Sequence, residues 1–162
     1  MCAGLIALTV CLPVWAQSTV TGQRDPFDEN AIHWGALPAT LARVVVFHAA
    51  GSGAQSAARL YVDGRLHTAL RPGGFTVWCV GAGAHEVSVA SGQVAKLPNE
   101  HRLASNIALD GGQTHYFRTG DDDVPVRLSE RQAQALLSLT REQTHLLSRA
   151  PTQACPVVAA PG

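Results

Sequence analysis

The sequence predicts a mainly β chain: an antiparallel β-sandwich of about seven short strands, followed by one C-terminal α-helix. Three observations predict it. Apolar, β-branched runs recur roughly every ten residues between breaks that contain Gly or Pro. Asp63-Gly64 separates two such runs and has the form of a two-residue hairpin turn. From Ser129 to Ala150 there is neither Gly nor Pro, and a capping signal opens that stretch.

Composition bounds the function classes. The chain has 162 residues, enough for one domain of ordinary size. Lys and Arg total 12, as do Asp and Glu, so the formal net charge is zero. A protein built to coat nucleic acid would carry a basic excess, so none is expected as a partner. Hydrophobic residues make up 46% and charged residues 15%, which suits a packed core rather than a disordered chain.

Residues 1–16, MCAGLIALTVCLPVWA, carry no charge. Val14-Trp15-Ala16 ahead of Gln17 reads as a signal-peptidase site. The apolar run is shorter than the about 20 residues that cross a bilayer. A secretory signal peptide is therefore expected over 1–16, with no transmembrane helix left after cleavage. No Lys or Arg precedes the run, which departs from the usual leader; a short N-terminal anchor is the competing reading. Cys11 follows Val10 instead of the small residue that a lipoprotein acceptor needs. Cleavage would leave Cys79 and Cys155 as the one available intramolecular pair in an oxidising compartment. The alternative is Cys79 as a small buried hydrophobe, with Cys155 loose.

Residues 17–41 hold no sustained period and read as an extended N-terminal segment, with Phe27, Ile32 and Trp34 able to pin it. The sandwich is expected over 42–128. Its strand-like runs are Arg43 to His48, Arg59 to Val62, Arg65 to Leu70, Phe75 to Val80, His85 to Ala90, Ile107 to Leu109 and Thr114 to Thr119. Val124 to Leu128 is a further extended piece. In His85 to Ala90, Val87 and Val89 share one face while Glu86 and Ser88 share the other. A helix is expected over 129–149: Ser129 and Gln132 form a capping box, and Ala135, Leu136, Leu139, Leu146 and Leu147 form an apolar stripe. The Pro- and Ala-rich tail, 150–162, is expected to be flexible apart from Cys155.

The residues also resemble a family. A Val-rich strand at 43–47 is followed by YVDG at 61–64, PGGF at 72–75, GAGAHEVSV at 81–89 and GGQTHYFRT at 111–119. This run is similar to small secreted β-sandwich domains of the DUF2846 and PEGA-like kind. It also resembles the N-terminal domain found ahead of a peptidoglycan-binding OmpA-like domain in some envelope proteins, where a helix ending like Gln143-Thr144-His145-Leu146-Leu147-Ser148-Arg149 follows the sandwich. The resemblance covers roughly 42–150 and implies an exported accessory role in the cell envelope. The implied partner is an envelope protein or a peptidoglycan-associated component. The implied location is the periplasm, with or without outer-membrane association. No OmpA-like domain follows here, so peptidoglycan anchoring is not carried over.

Chemistry-bearing patterns are few. The seven histidines are His33, His48, His67, His85, His101, His115 and His145. None falls in a metal-ligand spacing such as H-x-H, H-x₃-H or H-E-x-x-H, and no Cys-x-x-Cys occurs. Hydrogen-bonded or solvated histidines are expected, and no metal or other cofactor. Asp121-Asp122-Asp123 lacks the rest of a calcium loop and reads as solvated. There is no Gly-x-Ser-x-Gly, no phosphate loop, and Cys79 lies in an apolar run that makes a thiol inert. A non-enzymatic protein is expected. Trp34, Tyr61, Leu139 and Leu146 are the candidate contacts for a partner or ligand. The rival readings are a small-ligand or glycan-binding module using exposed aromatics, and a metal-binding or hydrolytic protein using clustered histidines.

Overall fold

The computed structural model describes residues 34–50, 56–90, 104–119, 124–144 and 148–157. The proposed signal peptide, most of the extended N-terminal segment, Asp121-Asp122-Asp123 and Leu146 lie outside the described residues.

The described chain is mainly β. Its strands are β1 (Leu41–His48), β2 (Ala58–Val62), β3 (Arg65–Leu70), β4 (Gly74–Gly81), β5 (Gly83–Ala90), β6 (Ala104–Leu109), β7 (Thr114–Thr119), β8 (Pro125–Leu128) and β9 (Arg141–Glu142). One helix, α1 (Glu130–Leu137), lies between β8 and β9. The strands form a five-stranded sheet, β8-β7-β1-β4-β9, and a four-stranded sheet, β3-β2-β5-β6. A shared core lies between the two sheets. Ala42, Val44, Val46, Trp78, Val80 and Phe117 come from the first sheet; Ala58, Leu60, Val62, Leu70, Val89 and Leu109 come from the second.

Local chemistry explains several elements. Asp63 and Gly64 have φ of 50° and 73°, the left-handed pair that a type I′ turn between β2 and β3 requires. One Asp63 carboxylate oxygen accepts from the Glu86 N–H at 3.0 Å, and the other accepts from His85 Nδ1 at 2.9 Å. This ties the turn to β5. At Gly111, any Cβ would overlap the Ala39 carbonyl, so the β6–β7 turn can lie against residues 37–40 only with glycine there.

The sandwich departs from the expected all-antiparallel plan of about seven strands. Among the described residues there are nine strands, and two pairings are parallel: β1 with β7, and β4 with β9. The chain leaves the first sheet after β1 and returns for β4, then leaves again and returns for β7. A strand that returns through the other layer is not held to the antiparallel direction of a hairpin.

The expected helix over 129–149 is corrected to eight residues, Glu130–Leu137. The capping box is present: Gln132 N–H donates to Ser129 Oγ at 3.4 Å, and Ser129 N–H donates to Gln132 Oε1 at 2.9 Å. The end is set by hydroxyls and by β4. Ser138 Oγ donates to the Ala135 carbonyl at 2.9 Å, and Thr140 Oγ1 donates to the Leu136 carbonyl at 2.7 Å. Arg141 N–H then donates to Gly73 O at 3.0 Å and Gln143 N–H to Phe75 O at 2.8 Å. The backbone of β4 thus captures a stretch whose side-chain pattern suits a helix.

The flexible tail is corrected over 150–157. Cys79 and Gln153 exchange both backbone hydrogen bonds at 2.9 Å, and Gly35 N–H donates to Pro156 O at 3.1 Å. A Cys79–Cys155 disulfide, closing a sequence separation of 76, fixes the same segment covalently.

Candidate functional site

The segment after α1 acts as a strap across one open side of the sandwich, where β3 of one sheet lies beside β4 of the other. Gln143, at the start of the strap, bonds both ways with the end of β3. Its Oε1 accepts from Arg71 N–H at 3.2 Å, and its Nε2 donates to the Ala69 carbonyl at 2.9 Å. Further along, Arg149 N–H donates to the Leu66 carbonyl at 2.8 Å, so the strap occupies the outer edge of β3. Ala150 packs on the core between the sheets.

Beneath the strap lies His67. The β2–β3 register runs Leu60 opposite Thr68 and Tyr61 opposite Leu66, so His67 is the extra residue of a β-bulge. Bulges re-aim side chains, and His67 and Thr68 are both buried although adjacent. The His67 ring lies 4.4 Å from the Trp78 ring. Its Nδ1 meets Ser148 Oγ at 3.1 Å and Thr152 Oγ1 at 3.3 Å, both from the strap. Burial pushes the His67 pKa down to about 4, so the ring is neutral near pH 7. Three buried polar atoms here have no partner among the described atoms: His67 Nε2, Trp78 Nε1 and Thr76 Oγ1.

The outer face of the five-stranded sheet carries a second group. Arg43, on the central strand β1, is only 4% exposed. Its Nη2 donates to the carbonyls of Gly35 at 2.8 Å and Pro156 at 3.3 Å, and Nη1 donates to Thr114 Oγ1 at 3.3 Å. The guanidinium carbon lies 5.1 Å from the centre of the Trp34 ring, and that ring lies 6.3 Å from Tyr116. All three hydrogen-bond acceptors are neutral, and among the described residues no carboxylate pairs with Arg43. Burial holds the Arg43 pKa below its ordinary value and, with Glu130 adding to it, pushes the Tyr116 phenol up.

The other described histidines are engaged at both ring nitrogens. His48 meets Thr119 Oγ1 at 2.6 Å and the Ser56 carbonyl at 3.1 Å. His85 meets Asp63 and the Gly81 carbonyl, the latter at 2.8 Å. His115 donates through Nε2 to the Asp110 carbonyl at 3.1 Å, and Arg127 Nη1 donates to its Nδ1 at 3.2 Å. Arg127 Nη2 also donates to the Ala108 carbonyl at 2.9 Å. One side chain on β8 therefore reaches β6, on the side of the sandwich away from the strap. The histidines are spread along the sandwich: among the described residues, no three His, Cys, Asp or Glu side chains come together as a metal centre needs.

The candidate contacts separate. Trp34 is half-buried, against Arg43 and Tyr116. Tyr61 is half-buried on the outer face of the four-stranded sheet, opposite Ser88. Leu139 is 77% exposed just past α1. Arg43 and the strap were not singled out by sequence reasoning. The available signal was a lone cation inside the Val-rich run at 43–47. The chain shows no significant match to any protein-family model, curated protein or solved structure.

Proposed function

We propose that this chain is an exported, non-enzymatic accessory domain of the cell envelope that binds another envelope component. The observation that carries the export reading is the Cys79–Cys155 disulfide. Such bonds form and persist in oxidising compartments such as the periplasm. The leader-like residues 1–16 and the resemblance to secreted β-sandwich domains support the same location.

Binding is the reading that suits the surface. Both open sides of the sandwich are bridged from within, by the strap on one and by Arg127 on the other. Leu139, by contrast, presents a large apolar side chain to solvent at the end of α1. An exposed leucine alone is ordinary, but this one lies on the segment that the resemblance associates with the envelope role.

The test is a photo-crosslinker at position 139 in the tagged full chain, expressed in its own host. The expected result is one dominant crosslinked envelope protein, from cells in which both cysteines resist alkylation until reduced. A chain that fractionates with the cytosol and carries Cys79 and Cys155 as free thiols would overturn the export reading. A correctly exported chain whose position 139 captures nothing would overturn the binding surface.

A further inference from the structure

Arg43 and Cys79 are register partners on β1 and β4, on one face of the sheet. Arg43 N–H donates to Gln113 O and Cys79 N–H to Gln153 O, each away from the other. They therefore form a non-hydrogen-bonded antiparallel pair, the kind in which facing side chains lie closest. The Arg43 guanidinium also reaches the carbonyl of Pro156, the residue after Cys155. A buried cationic side chain thus leaves the sheet opposite Cys79 and ends at the carbonyl after Cys155, with neutral acceptors and one N–H, Nε, without a partner among the described atoms. A cation in that setting favours an anion next to it, and a Cys79 thiolate would be that anion.

We propose that Cys79–Cys155 is a thiol–disulfide exchange site whose cleavage releases the strap, with Arg43 positioning and stabilising the leaving Cys79 thiolate. The co-reactant is a dithiol, of the class carried by thiol–disulfide oxidoreductases. Cys79 is fully buried and Cys155 half-buried, so the attacking thiolate reaches Cys155 Sγ. A mixed disulfide forms at Cys155 while the Cys79–Cys155 bond breaks, and its electron pair leaves on Cys79 beside Arg43. The second thiol of the reductant then displaces Cys155. The dithiol becomes a disulfide, and the chain gains two electrons and two protons as two thiols. Without its covalent pin, the segment 148–157 is held by backbone bonds at Arg149, Gln153 and Pro156, by the Ser148 and Thr152 hydroxyls on His67, by Arg43 on the Pro156 carbonyl and by Ala150 on the core, and its departure uncovers His67 and Trp78.

The experiment uses the purified full chain and dithiothreitol without denaturant, with thiol release followed by alkylation and mass spectrometry. The expected rate is linear in dithiol. Amide exchange at Arg149 and Gln153 should rise on reduction while that of β1 stays protected. Arg43→Gln is expected to slow reduction roughly tenfold, with Arg43→Lys recovering part of the loss. An unchanged rate in a folded Arg43→Gln variant overturns the role of Arg43. Should that variant fail to fold, the native chain decides alone: a reduction rate that plateaus at the global unfolding rate, whatever the dithiol concentration, overturns the exchange site. Reduction that leaves Arg149 and Gln153 protected overturns strap release.

Discussion

His67 packs tilted against Trp78 with ring centroids 4.4 Å apart and planes inclined by 48°, and burial depresses its pKa to about 4. The unfolded chain protonates this histidine near its ordinary pKa of about 6.5, whereas the folded chain resists until about pH 4. Between those values the unfolded state binds more protons, so stability falls as pH drops. The contribution is intact above about pH 6.5 and is lost toward pH 4, by an amount on the order of 3 kcal/mol. Chemical denaturation at a series of pH values should show this slope in the native chain and a flatter one in His67→Leu. The difference between the two curves isolates the His67 contribution from that of every other titrating group.

The disulfide anchors the strap and shortens the unfolded chain's reach. Replacing Cys155 with Ser should cost about 2–4 kcal/mol, as expected for a long closed loop. The loss should be read by urea denaturation of the oxidised native chain against the variant. Equal midpoints would mean that the backbone bonds at Gln153 and Pro156 hold the strap without it.

Gly111 lies where the turn between β6 and β7 meets the carbonyl of Ala39. Gly111→Ala places a methyl group into that backbone oxygen, so one of the two segments must shift. A cost of about 1–3 kcal/mol follows from such overpacking. Gly81→Ala is the control, since a Cβ there meets nothing within 4 Å. Thermal melts of the two variants should separate, with only Gly111→Ala markedly lowered.

Arg127 bridges the two sheets through the Ala108 carbonyl, donates to His115 on its own sheet, and has its guanidinium carbon 5.3 Å from the Phe117 ring centre. Arg127→Ala leaves His115 Nδ1 without its donor, although His115 is 4% exposed. A loss of about 1–2 kcal/mol is expected from that unmet acceptor and the lost bridge. Amide exchange should rise first along β6 and β8. Uniform exchange across both sheets would count against a local bridge.

The sequence by itself determined the elements whose signals are local. Asp63-Gly64 needs positive φ at two adjacent residues, a demand written into the dipeptide. Ser129 and Gln132 complete their capping box within one turn. Runs such as Phe75 to Val80 state their own burial through side-chain type, whereas the Cys79–Cys155 bridge was one of two readings that the sequence left open. Only the tertiary structure decided what depends on distant backbone. The chain from Arg141 to Gln143 leaves the helix because Gly73 and Phe75 carbonyls accept its N–H groups, and backbone groups look alike in every sequence. The direction of β7 beside β1, the bulge that buries His67, and the neutral cage around Arg43 arise in the same way. Each rests on partners far away along the chain, whose meeting no local residue pattern encodes.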